Sequence, residues 1–387
     1  MTGPAITPIR VGDPAALLEP LRRALSGQAP IHPYADGPAQ VPPHERADLP
    51  AGLALVVGTS GSTGAPKLSL LTAAALRASA EGTERVLGGP GRWQLALPPT
   101  HIAGLQVLTR SLVAGTDPVL PDRGPGSAAG GPFTAAGFAA AAARLGGKAR
   151  GPAYTSLVPT QVVRLLDDPD GTEALRRFSA VLVGGAGTPP ALRARAEAAG
   201  VRLIATYGTS ETAGGCVYDG DPLPGVRVAV EDNGRIFLGG PTLASGYLGP
   251  VAESGFVERD DERWFATDDL GELTAEGHLR VLGRRDDVIV TGGRKVHPRV
   301  VEEAVAAAYP QLTTVVAIGL PDPEWGQAVA LAVAGPNAPS LAEVREGLRG
   351  VLPAYALPRR LRTGEIPERG PGKPDRRALW EMGEWQA

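Results

Sequence analysis

Cysteine is almost absent from this chain of 387 residues: Cys216 is the single one. One thiol excludes an intrachain disulfide and a metal site built from cysteines, and it fits a reducing cytoplasm. A strong net charge is lacking too. The formal balance is −3, so bulk electrostatics points neither to nucleic acid nor to an acidic membrane surface. No apolar run approaches the roughly 20 residues of a membrane span, and the opening Met-Thr-Gly-Pro lacks the basic then apolar character of a secretory leader. A cytoplasmic protein without stable membrane insertion is expected.

What is present is ordinary for a globular chain, with 43% hydrophobic and 20% charged residues. The length exceeds what one core usually supports, so two or more domains are expected. The most distinctive stretch is Gly58 to Lys67, Gly-Thr-Ser-Gly-Ser-Thr-Gly-Ala-Pro-Lys, after the apolar run Leu53 to Val57. Glycines let backbone N–H groups approach an anion, hydroxyls add donors and the lysine adds charge, which suits phosphates. It is not a Walker A loop, because Pro66 separates Gly64 from Lys67 and disfavours a helix there. By itself the stretch is equally a flexible Gly/Ser linker.

Strand and helix signals alternate through the first two thirds of the chain. Helical patterns cover Ala15 to Leu25, Leu70 to Leu87, Leu105 to Val113, Phe133 to Leu145, Pro159 to Leu166 and Pro190 to Ala199. Between them, strands are expected at Trp93 to Leu97, Ala153 to Val158, Val181 to Val183 and Leu203 to Thr206, several ending in glycine-rich or polar turns. That order predicts a mostly parallel sheet with functional residues at the turns. From Val226 short alternating runs predict a small antiparallel β region. After the charged break Gly283 to Asp287, a helix from Pro298 to Ala308, strands at Thr313 to Gly319 and Ala328 to Val333, and a helix from Leu341 to Leu348 form a compact α+β unit. The fold class is therefore α/β: a large N-terminal domain of α/β layers with a small β region, then a small mobile α+β C-terminal domain. The division falls at residues 1–285 and 286–387, beside Asp286.

Four further stretches carry chemistry. In Tyr207-Gly208-Thr209-Ser210-Glu211-Thr212 a carboxylate just past a strand could hold a metal ion beside a phosphate, and Tyr207 offers a face to a purine. The bland alternatives are a solvated charge and a packing ring. In Trp264 to Asp269, Asp269 could accept both ribose hydroxyls, or Asp268 and Asp269 could be turn residues. Arg284, at the start of the charged break, can reach a ribose or phosphate. Lys373, between Gly372 and Pro374, sits on a loop that could insert a point charge into a site built elsewhere.

Together these stretches resemble the adenylate-forming superfamily of acyl-CoA synthetases, peptide-synthetase adenylation domains and luciferases. Thr-Ser-Gly-Ser-Thr-Gly-x-Pro-Lys, Tyr-Gly-x-Ser-Glu, Thr-Asp-Asp, Gly-Arg-x-Asp-Asp and Gly-Lys follow one another in the family order over residues 53 to 376. The resemblance implies two steps: a carboxylate attacks the α-phosphate of ATP to give an acyl-adenylate, and the thiol of coenzyme A then displaces AMP. It implies that Thr59, Ser60, Gly61, Ser62, Thr63, Gly64 and Lys67 hold the pyrophosphate end. Gly184, Gly185, Ala186 and Tyr207 enclose adenine, and Asp269 and Arg284 bind ribose. Gly208, Thr209, Ser210 and Glu211 face phosphate and Mg2+, with Glu211 the metal ligand. Lys373 bridges the carboxylate and the α-phosphate, and Asp286 is the hinge that withdraws it. Ser210 stands where threonine is commoner, keeping the hydroxyl, and Asp268 stands where the family usually has glycine, adding a negative charge near the nucleotide.

The acid is addressed by Leu97 to Arg110. An arginine nine residues after His101 is costly to bury in an apolar acyl tunnel unless an anion meets it; otherwise it points to solvent from an amphipathic helix. The stretch resembles that of o-succinylbenzoate:CoA ligases of menaquinone biosynthesis, in which a matching arginine recognises the free aromatic carboxylate and a histidine matching His101 lines the acyl site. Gly214 to Gly220 and the short length resemble actinobacterial members of that group. Other aryl or short-chain acyl-CoA ligases, or a stand-alone adenylation enzyme loading a carrier protein, share the same motifs. A non-catalytic nucleotide-binding module would have lost Lys67, Glu211, Asp269 or Lys373, and all four are present. The expected partners are small molecules; a homo-oligomer is compatible with the sequence.

Overall fold

The structure is a computed structural model that describes residues 5–35, 39, 41–42, 49–59, 67–121, 133–146, 151–251, 254–368 and 374–386. Ser60, Gly61, Ser62, Thr63, Gly64 and Lys373 lie outside the described residues.

The second sheet carries most of the functional turns. Its strands Arg92–Gln94, Ala153–Leu157, Ala180–Val183 and Leu203–Thr209 run parallel in that spatial order. Gly214–Tyr218 and Asp221–Pro222 continue it antiparallel. Ala153–Leu157 and Ala180–Val183 are buried along their whole length, as expected of parallel strands covered on both faces. Carboxyl ends of parallel strands share one edge, so the turns after Val183 and Thr209 open side by side.

A neighbouring sheet orders Thr7–Arg10, Ile31–Tyr34, Leu53–Gly58, Leu68–Thr72 and Gly246–Leu248. Here the helix expected over Leu70 to Leu87 is corrected: Leu68–Thr72 is a strand and the helix is Ala73–Leu87. Leu68, Leu70 and Leu71 are buried in the sheet, and the Thr72 hydroxyl accepts from the Ala75 N–H at 3.1 Å, capping the helix where the alanines begin. Other expected elements shift by a few residues. Strand Leu203–Thr209 continues three residues past the expected end, and the helix expected from Leu105 already starts at Ile102.

The antiparallel β region forms as expected, with Glu262–Leu273 between Arg235–Gly239 on one side and both Phe256–Arg259 and Leu279–Arg284 on the other. The last unit is a sheet of Arg294–Val296, Ile289–Thr291, Gly326–Ala334, Thr314–Asp322 and Arg360–Thr363, covered by helices Pro298–Ala308 and Leu341–Gly347. Its core, including Ile289, Val301, Val305, Leu331 and Leu361, packs on itself. The large core upstream gathers residues from Val11 to Leu279.

Helix Ile102–Val113 seats on the turn before it through Gly104. A β-carbon there would lie 2.3 Å from the Pro98 carbonyl oxygen, a contact no side chain makes. Gly104→Ala is expected to cost about 1–3 kcal/mol or more through overpacking, read as a lowered unfolding midpoint. Gly12→Ala is the control, since nothing lies within 4 Å of an added β-carbon at Gly12, and its midpoint should hardly move.

Candidate active site

Strand Leu203–Thr209 ends where backbone crowds backbone. At Gly208 a β-carbon would stand 2.1 Å from the Gly214 carbonyl oxygen, so glycine alone permits the two strands to approach there. The chain then makes a tight turn over Ser210–Thr212. Thr209 Oγ1 accepts from the Glu211 N–H at 3.2 Å, Thr212 Oγ1 accepts from the Thr209 N–H at 2.9 Å, and Ala213 closes the turn at φ 52. This geometry turns Glu211 inward, to 7% exposure.

Glu211 Oε1 accepts a 2.7 Å hydrogen bond from the Tyr247 hydroxyl. Burial and then the Glu211 charge push the Tyr247 phenol far above its ordinary range, so it acts as a donor. Tyr247 pairs with Ser69 in the sheet, and Lys67 places its ammonium 5.3 Å from the centre of the Tyr247 ring. The far end of the glycine-rich stretch is thereby tied to Glu211. No cation pairs with Glu211 among the described residues, and none of them form a cluster of three His, Cys, Asp or Glu side chains able to hold a metal alone. A lone buried carboxylate fits an ion such as Mg2+, which takes its remaining ligands from phosphate oxygens and water.

The two residues expected to bind ribose meet across two strands. Asp269 and Arg284 are direct neighbours in the ladder of Glu262–Leu273 with Leu279–Arg284, so their side chains share a face. Tyr207 donates its hydroxyl to Asp269 Oδ2 at 2.8 Å. Burial raises the Asp269 pKa, while the Tyr207 hydrogen bond and the Arg284 charge oppose that shift. Burial also holds the Tyr207 phenol well above its usual range. The added charge of Asp268 is compensated: it pairs with Arg284 at 3.4 Å and Arg285 at 3.6 Å. Gly184 lies against Thr206, where a β-carbon would stand 2.5 Å from Thr206 Oγ1, and Gly185 takes φ +81.

Arg110 is buried, with 3% of its surface exposed, rather than solvated. Ile102, Gln106 and Arg110 recur every four residues and line one face of their helix toward the cleft, which sets Arg110 about 12 Å along the axis from Ile102. Its guanidinium lies 5.0 Å from the centre of the Trp93 ring and donates from Nη2 to the Tyr218 hydroxyl at 3.1 Å. Nε is buried without a partner, and no carboxylate among the described residues pairs with it. Burial lowers its pKa, with Tyr218 acting in the opposite direction. His101 stands exposed at the N-cap position of the same helix.

A cleft of about 1590 Å³ passes all of these groups. Thr59, Lys67, Gly184, Gly185, Ala186, Tyr207, Gly208, Thr209, Ser210, Glu211, Asp269 and Arg284 line it, and so do His101 and Arg110. Glu368 and Pro374, which flank the segment containing Lys373, line it as well. Asp286 does not. It sits on the turn Arg285–Asp287, 3.9 Å from Arg284. Sequence reasoning missed Tyr218, Gln106 and Tyr247. Tyr218 carried a period-two signal, since Cys216 and Tyr218 alternate on one face of a strand; a strand-borne tyrosine far along the chain carries no sign that it will meet Glu211.

Comparison with known proteins addresses the family. The family described as AMP-binding enzyme matches residues 16–248, and the AMP-binding enzyme C-terminal domain matches residues 301–373. A probable 2-succinylbenzoate-CoA ligase of Mycobacterium tuberculosis is 44% identical over 385 residues, covering 96% of each chain. The 2-succinylbenzoate-CoA ligase of Escherichia coli is 31% identical over 346 residues, 84% of this chain and 70% of that one. Among solved structures, o-succinylbenzoate CoA synthetase of Bacillus subtilis in complex with the acyl-adenylate intermediate OSB-AMP superposes with a TM-score of 0.77. It covers 100% of this chain and 90% of its own at 21% identity, a likeness of fold. With family models matching residues 16–248 and 301–373 and a 44% identical relative covered over 96% of its length, this protein belongs to the AMP-binding enzyme family.

Proposed function

We propose that this chain joins 2-succinylbenzoate to coenzyme A in an ATP-dependent, AMP-forming reaction. The observation that carries the substrate is Arg110. A guanidinium buried at the cleft without a protein carboxylate is costly until an anion arrives. The free ring carboxylate of 2-succinylbenzoate supplies that anion, while the succinyl carboxylate remains available for activation. The 44% identical relative that bears this activity in its name supports the same acid.

In the first step an oxygen of the succinyl carboxylate attacks the α-phosphorus of ATP, the bond from that phosphorus to the bridging oxygen breaks, and pyrophosphate leaves. Asp269, oriented by Tyr207, accepts the ribose hydroxyls, and Gly184 to Ala186 leave room for adenine. Thr59 to Gly64 and Lys67 hold the pyrophosphate end, and His101 lines the acyl path. Glu211 would hold Mg2+, which when bound supplies positive charge to the phosphate oxygens. Lys373 stabilises the charge shared between carboxylate and α-phosphate. In the second step the thiol sulfur of coenzyme A attacks the acyl carbon, the bond to AMP breaks, and the thiol proton is released. Residues 286–387 swing about Asp286 between the steps and withdraw Lys373. The cytoplasm, where ATP, coenzyme A and the free thiol of Cys216 coexist, is the compartment we assign.

Purified protein given ATP, Mg2+, coenzyme A and a panel of acids is expected to release AMP and form thioester fastest with 2-succinylbenzoate; equal turnover of benzoate or a fatty acid overturns the assignment. Arg110→Leu should raise KM for 2-succinylbenzoate by roughly 10- to 100-fold, the worth of a hydrogen bond to a charged group, and leave KM for ATP nearly unchanged. Lys373→Ala should abolish adenylation yet spare thioester formation from preformed acyl-adenylate. Equal loss of both half-reactions would refute the two-position role of the C-terminal unit.

A further inference from the structure

Arg110 is oriented by a chain of hydroxyls that runs back into the helix Ala73–Leu87. Its Nη2 lies 3.1 Å from the Tyr218 oxygen, which lies 2.9 Å from Thr83 Oγ1, which in turn lies 2.8 Å from the Ser79 carbonyl oxygen. Hydrogen-bond chemistry fixes the direction of every link. A carbonyl only accepts, so the Thr83 proton goes to Ser79. Thr83 then meets Tyr218 as an acceptor, and the Tyr218 proton points at Thr83. The phenolic oxygen is left with its lone pairs toward Arg110, which has only donors.

The chain is dry. Ser79 and Thr83 are fully buried and Tyr218 is 3% exposed, so the end of the chain on helix Ala73–Leu87 is shut off from bulk water. The Trp93 ring lies 5.0 Å from the guanidinium and offers it an aromatic face. The chemical character of the acceptor matters as much as its place. A carboxylate in the position of Tyr218 would orient the guanidinium equally well and cancel its charge, leaving no demand for an anionic ligand. A neutral hydroxyl orients it and leaves the positive charge intact.

We propose that Tyr218 and Thr83 are specificity-determining positioning residues: their one-directional hydrogen-bond chain aims Arg110 at an acid bearing a second carboxylate while leaving its charge unneutralised. The proposal rests on the reading of Arg110 as the ring-carboxylate contact. It predicts that selectivity for the dicarboxylic acid depends on two hydroxyls, one of which, Thr83, does not line the cleft.

The test compares 2-succinylbenzoate with 4-oxo-4-phenylbutanoate, the same acid without its ring carboxylate. Tyr218→Phe and Thr83→Val are each expected to reduce the ratio of the two kcat/KM values by roughly tenfold or more, through KM for the dicarboxylic acid, the loss of one well-placed charged hydrogen bond. KM for ATP and the constants for the monoacid should stay within about twofold. Thr83→Ser keeps the hydroxyl and should restore the wild-type ratio, which a purely packing role would not do. An unchanged ratio in Tyr218→Phe and Thr83→Val, or an equal loss in Thr83→Ser and Thr83→Val, overturns the proposal. Should Tyr218→Phe fail to fold, the two Thr83 variants decide the matter. A wild-type enzyme that fails to distinguish the two acids refutes the reading of Arg110 itself, whereas a discriminating wild type with indifferent variants refutes the hydroxyl chain alone.

Discussion

Withdrawing a guanidinium from water is expensive, and the acyl half of this molecule is arranged around having done so. The protein buries two arginines in opposite ways. Arg376 is surrounded by its own anions, with Glu302 at 2.7 Å, Asp287 at 3.2 Å and the Ala317 carbonyl oxygen at 2.5 Å. Burial works against its charge, but Glu302 and then Asp287 more than offset that, and its pKa ends above the ordinary value. Arg110 lies deeper, 3% exposed where the Arg376 side chain is 27% exposed, and it receives only an aromatic face and one neutral hydroxyl, so burial lowers its pKa. The first arrangement is complete without a ligand and the second is not. That difference separates an arginine satisfied within the fold from one left open to an anion, as the proposed role of Arg110 requires.

At the nucleotide end the same question is settled within the protein. Two adjacent aspartates share one strand, and each has a different answer. Asp269 leans on the Tyr207 hydroxyl and is shielded, whereas Asp268 faces outward and divides two arginines. The antiparallel register that sets Arg284 opposite Asp269 serves both carboxylates with one cation. Asp268 meets two guanidinium groups because Arg285 follows Arg284 in the turn.

Much of this was legible in the sequence because it depends on residue order. The α/β alternation, the parallel strands and the turn after Val183 follow from apolar runs punctuated by glycine. The misread start of helix Ala73–Leu87 shows the limit: Leu-Ser-Leu-Leu-Thr before an alanine run fits either state, and only the partners Leu53–Gly58 and Gly246–Leu248 decide for strand. Glu211, Asp269 and Arg110 could be singled out in advance because each sits in a motif that resembles the adenylate-forming superfamily, and the structure sets all three on one cleft. Tyr247, Tyr218 and Thr83 could not. Their importance comes from contacts spanning 36, 108 and 135 positions along the chain, and local pattern carries no information about such pairings.

One feature of the fold bears on how the two cores are joined. Helix Pro298–Ala308 rests against helix Pro190–Ala198 and strand Leu279–Arg284, and the ion pair that spans this seam, Arg280 with Glu303 at 3.4 Å, is half in solvent. Pairs of that kind are worth roughly 0–1 kcal/mol each and are screened by salt. The tightly built charges, those of Arg376 with Glu302 and Asp287, lie wholly on the C-terminal side of the seam. The charges that meet across this seam are therefore of the screened, weakly held kind, and the more enclosed ones are kept within the C-terminal unit.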